Sequence, residues 1–126
     1  MAPIKIDSKR TSQKLLVGAR RHLAEGDLLQ ASEKGWGAAA QMVKSVAEAR
    51  GWPHKSHHHL WRTIDRLEEE TGDAEIQIGF ASASALHINF YEGCLMVGDV
   101  AKHLDRVEDL LLLKIETLNR TSGFYE

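Results

Sequence analysis

Apolar residues recur every three or four positions along most of the chain, the spacing of a helix that buries one face. In residues 8–25, Leu15, Leu16, Ala19 and Leu23 share such a face. In residues 28–50 the stripe is Trp36, Ala39, Ala40, Val43, Val46 and Ala47. Its many alanines predict close approach of a neighbouring helix. Residues 56–71 carry Leu60, Trp61, Ile64 and Leu67 inward. Residues 74–92 carry Ile76, Phe80, Ala83, Leu86 and Phe90, with His87 and Tyr91 half a step round. The stretch EIQIGF alternates like a strand, but a single strand would have no partner. The last helix, residues 95–119, turns Val97, Val100, Ala101, Leu104, Val107, Leu111, Ile115 and Leu118 inward.

The punctuation agrees with these limits. Gly26, Gly51, Gly72 and Gly93 follow the first four helices, as left-handed caps do. Asp27, Ser56 and Asp73 are good helix starters. Trp52-Pro53 blocks continuation of the second helix, because proline pushes the preceding residue out of the α region. Connections this short make sequential helices antiparallel neighbours. The expectation is an all-α, up-and-down bundle of about five antiparallel helices. It forms one domain over residues 1–126, with residues 1–7 and 120–126 as frayed tails.

Composition narrows the function. The 126 residues are 43% hydrophobic, which supports a real core. A net charge of -2 argues against a broad basic nucleic-acid surface and leaves room for a local patch. The single Cys94 excludes an intrachain disulfide and a four-cysteine zinc site. No apolar run approaches the roughly 20 residues of a membrane span, and no secretory signal is visible. A cytoplasmic protein with no membrane partner is expected. Leu110 to Leu113 are consecutive leucines and cover more than one helix face. That predicts a homodimer through helix five, using Leu110, Leu112 and Leu113.

The densest chemistry is SHHHLW with the histidine before it: His54, His57, His58 and His59. Consecutive rings on a helix diverge by about 100°, and no HExxH motif accompanies them. No metal site and no cofactor are expected. His57 shares the face of Leu60, Trp61 and Ile64, so it should point inward while His58 and His59 point out. In a first helical turn, free amides favour a neutral ring, fit for acid–base work. A structural histidine bonded to a carbonyl or carboxylate fits the same position. His87 and Tyr91 form a second candidate, for binding. Glu33, one turn before Trp36, and Arg50 could partner these rings from helix two. Glu33 and Arg50 stand about 17 residues or ~25 Å apart, too far to serve one site in one subunit.

The segments ASEKGWGAAAQMVKSVAEARGW, SHHHLW and, most specifically, ALHINFYEG give the chain its resemblance to a known family. It resembles the prokaryotic PaREP-type family, assigned to the HEPN superfamily (higher eukaryotes and prokaryotes nucleotide-binding). The resemblance implies a helical bundle that commonly dimerises and has an RNA-linked role. Many HEPN members are metal-independent ribonucleases built on an arginine, four to six residues and a histidine. Arg50 and His57 have that spacing here, across the predicted helix break. Arg50 would stabilise the charge on phosphorus, and His57 would move the proton. Other members are non-catalytic partners of nucleotidyltransferases, or binding modules. The function expected is therefore RNA- or nucleotide-related binding by a dimer, with catalysis left open. The alternatives are an endoribonuclease using Arg50 and His57, or a structural interaction module.

Overall fold

The second, third and fourth helices end at Gly51, Gly72 and Gly93, and the second and third start at Asp27 and Ser56, whereas the fourth starts after Ala74, one residue beyond the expected Asp73. The computed structural model describes residues 4–121. Helix α1 spans Ile6–Ala24, α2 Leu28–Arg50, α3 His57–Thr71 and α4 Glu75–Glu92. Helix α5 spans Val97–Val107, passes through a π turn at Glu108–Leu112, and continues as α6 over Leu113–Thr121. The fold is an all-α bundle in which α5, the π turn and α6 act as one long fifth helix. No strand occurs among the described residues, and EIQIGF lies within α4. No helix among them is long and apolar enough to cross a membrane.

Local chemistry explains the ends. Asp27 accepts a hydrogen bond from the Gln30 amide at 3.1 Å, and Ser56 accepts one from the His59 amide at 3.2 Å. Gly51 sits at φ 71°, a left-handed conformation that costs glycine nothing. Part of the stretch 1–7, expected as a frayed tail, is structured from residue 4 on. Ile4 is buried and α1 already begins at Ile6. Most of the expected C-terminal tail lies outside the described residues.

Helices α1, α2, α4 and the long fifth helix pack as antiparallel neighbours. Ser12 on α1 donates to the Ala38 carbonyl on α2 at 2.7 Å. Ala31, Ala38, Ala39, Ala40 and Ala47 are all buried, the close approach that the alanines predict. Helix α3 joins differently. The connection at residues 51–56 doubles back along α2 before α3 begins. His57, at the start of α3, lies on Trp36, with ring centroids 4.9 Å apart. Glu70, near its end, forms an ion pair with Arg50 at the end of α2. The two helices therefore run in the same direction, and α3 pairs antiparallel with α4.

The π turn decides the fate of the leucine run. Val100, Leu104, Val107 and Leu111 form one buried stripe, and Leu112 and Ile115 continue it one residue out of step. A π turn absorbs one extra residue, so adjacent Leu111 and Leu112 both enter the core. Leu112 is only 4% exposed. Of the leucines expected at a dimer surface, Leu112 is thus corrected to a core residue, while Leu110 is half-buried and Leu113 is exposed. Gly79 on α4 makes room for the bulge. A Cβ there would stand 2.9 Å from the Leu110 carbonyl carbon.

Candidate ligand site at the rim of the bundle

Four rings from three helices converge where α2 begins, α3 starts and α4 ends. Trp36 is the floor, 7% exposed. His57 meets it edge-on, and His87 lies over it with centroids 4.8 Å apart at a 31° tilt. The two imidazoles are 5.0 Å apart at 78°. Tyr91 stands perpendicular to His87 at 5.4 Å and projects into solvent, 73% exposed. Phe80 and Trp61 extend the stack inward.

One carboxylate faces these rings. Glu33 Oε2 lies 3.6 Å from His87 Nδ1. That is too long for a hydrogen bond, and both atoms are shielded from solvent without a hydrogen-bond partner. The backbone beneath them is fixed. Asn89 donates to Ser32 Oγ at 2.9 Å and accepts from the Leu95 amide at 2.8 Å. That pair, one residue from Glu33 and two from His87, sets the register of α2 against α4. The site thus offers a ring platform, an open edge at His57 and Tyr91, and two desolvated polar atoms.

The histidine cluster divides differently from the expectation. His57 touches Trp36 and His87 as its face predicts, yet it remains exposed, because it is the first residue of α3. His58 is exposed. His59 turns back rather than out: it is half-buried, and its Nδ1 accepts from the Lys55 amide at 3.2 Å. Among the described residues, no three His, Cys, Asp or Glu side chains group to hold a metal ion.

A family model for the archaeal PaREP1/PaREP8 family matches residues 8–111. The chain belongs to that family. The match covers every ring-site residue of this PaREP1/PaREP8 protein. A crystal structure of a Sulfolobus solfataricus protein is similar to it, with a TM-score of 0.72 and 25% identity. The similarity covers 86% of this chain and 96% of that one. No curated protein sequence matches.

Glu33, His87 and Tyr91 stand together with His57 in this PaREP1/PaREP8 chain. Arg50 does not join them. Fourteen residues of α2 separate it from Trp36, about 21 Å at helical rise. It pairs with Glu70 and lies 5.1 Å from the Trp52 ring centroid. The arginine–histidine spacing in sequence is therefore not a juxtaposition within one chain. The connection that doubles back along α2 carries His57 away from Arg50. Sequence reasoning placed Trp36 in the core and missed it as the platform. Its position one turn after Glu33, with ALHINFY supplying two further rings, was the available signal.

Proposed function

We propose that this protein is a HEPN-type module that binds a nucleotide unit of RNA at the ring site, without cleaving it. The observation that carries the reading is the ring platform with its unbonded Glu33–His87 pair. Bases bind aromatic platforms through stacking and are read by polar groups at their edges. A base seated against His57 and Tyr91 would present amino or imino hydrogens to the solvent-facing part of the Glu33 carboxylate, whose side chain is partly exposed. On the outer face of α3, Arg62 and Arg66 are exposed beside the equally exposed Asp65 and Glu69, so that face is mixed in charge and the reading rests on the rings; Arg66 lies 4.6 Å from the Trp52 ring centroid. Cleavage finds less support, because Arg50 is ion-paired and far from His57.

The test is equilibrium binding of labelled single-stranded homopolymeric RNAs and of the four nucleoside monophosphates. Tyr91→Ala and His87→Ala should weaken binding about tenfold, since stacking contributes roughly 1–3 kcal/mol per base. Lys5→Ala, just before α1 and paired with Glu48 near the far end of α2, should not change it. Absence of binding to every RNA and nucleotide overturns the reading. Cleavage by the wild type, lost in His57→Ala, would replace it with the nuclease.

A further inference from the structure

Helix α1 carries cations on two sides. On one, Lys9 and Arg20 reach the long fifth helix, where Glu116, Asp105 and Glu108 pair with them. On the other, Arg10, Lys14, Val17 and Arg21 recur every three or four residues and form an outer stripe. Arg10 and Lys14 are exposed and have no partner among the described residues. Arg21 has only Glu25, exposed and 3.7 Å away. Like charges one turn apart weaken a helix, so the stripe adds nothing to the stability of α1.

A fourth cation is held against the stripe from α2. Lys34 crosses to α1 and lies over Gly18, where a Cβ would stand 3.2 Å from its Cδ. Its Nζ stops 2.8 Å from His22 Nε2. An ammonium can only donate, so the ring nitrogen accepts. Lys34 is thus half-buried and fixed in place with no carboxylate beside its charge. A side chain ordered in advance loses less entropy when a ligand arrives.

These cations line a shallow groove of about 530 Å³ between α1 and α2. Leu15 is half-buried in it and Val17 is 69% exposed, so apolar surface lies between the charges. No carboxylate lines the groove among the described residues. Asp7 stands one turn before Arg10, and Glu25 and Asp27 follow Arg21. Acids therefore close the positive stretch at both ends. From Arg10 to Arg21 it runs about 16 Å at helical rise, the length of about five extended residues.

Length and charge together select the occupant. A nucleic-acid strand longer than the groove would carry its phosphates past Asp7 or Glu25 and would gain nothing from Val17. A short acidic peptide meets cations along its whole length and can seat an apolar side chain on Leu15 and Val17. We propose that the α1–α2 groove docks an acidic segment of a partner protein, with one apolar side chain between its carboxylates. Arg10 and Lys14 hold the carboxylates on one side of Val17, and Lys34 and Arg21 hold those on the other. The inference does not depend on what the ring site binds.

Fluorescence anisotropy on the full chain tests it, with circular dichroism to confirm folding. The probe is a short labelled peptide with glutamates on both sides of one leucine. Its companions are the same peptide with serine for leucine, and an oligouridylate of matching charge. The leucine peptide should bind saturably, more weakly as salt rises, and more tightly than either companion. Lys14→Glu should weaken it about tenfold or more, because a charge-assisted contact becomes a repulsion. Lys102→Glu on α5 makes the same change in net charge and should stay within about twofold, since distant exposed charges are screened. Val17→Ser should cost the leucine peptide about threefold, through lost apolar burial, and the serine peptide nothing. No saturable binding of the leucine peptide overturns the proposal, as does equal loss in Lys14→Glu and Lys102→Glu. An oligouridylate that binds more tightly and is lost in Lys14→Glu assigns the groove to nucleic acid and overturns the peptide.

Discussion

Glu33 Oε2 and His87 Nδ1 face each other at 3.6 Å, both shielded from solvent and neither hydrogen-bonded. Buried polar atoms normally find partners, so the pair is a poor choice for stability alone. Glu33→Gln keeps the shape and removes the charge. Denaturant unfolding should therefore change by less than about 1 kcal/mol. RNA or nucleotide affinity should fall about tenfold if the carboxylate accepts hydrogens from a base. Unchanged affinity in a protein that does bind would remove Glu33 from the site.

The leucine run gives a sharp contrast in stability. Leu112 is 4% exposed and Leu113 48%. Leu112→Ala should cost about 2–5 kcal/mol, as large-to-small changes in cores do. Leu113→Ala should stay within about 1 kcal/mol. Urea titration of both variants checks this. Equal costs would mean that the π turn does not set the register.

Two glycines should respond in opposite directions to alanine. Gly98, in the first turn of α5, has open space around it. Gly98→Ala should stabilise by about 0.5–1 kcal/mol, through helix propensity and a less disordered unfolded chain. At Gly79 the new methyl would meet the Leu110 backbone at 2.9 Å. Backbone cannot swing aside, so Gly79→Ala should destabilise by about 1–3 kcal/mol despite the same propensity gain. Thermal melts of the two variants give the comparison.

His103 should make stability depend on pH. Burial pushes its imidazole pKa down, Arg106 adds to the effect, and Asp99 opposes it. Its Nδ1 is buried without a partner. The unfolded chain therefore takes up this proton first, near the ordinary histidine value of about 6.5. The contribution is fully present above that value and is lost as pH falls through the lower folded value. His103→Gln should flatten this part of the stability–pH curve. A wild-type and variant difference that does not change between pH 8 and pH 5 would refute the assignment.

Much of the fold was legible in the chain because helix formation is governed locally. Apolar spacing, glycine caps and the starters at Asp27 and Ser56 depend on residues within one turn. They set helix existence and approximate limits for α1 through the long fifth helix. The family resemblance was carried by contiguous strings and was just as local. Three features were decided only by packing. The connection 51–56 reverses α3 relative to a simple up-and-down order, because His57 and Trp61 find their aromatic partners on α2 and α4. That choice separates Arg50 from His57 and assembles Glu33, Trp36, His57, His87 and Tyr91 instead. The π turn, accommodated by Gly79 on another helix, draws Leu112 into the core. Periodicity fixes which residues share a face of their own helix. Which neighbour that face meets, and in which direction, depends on the competing contacts of the whole core.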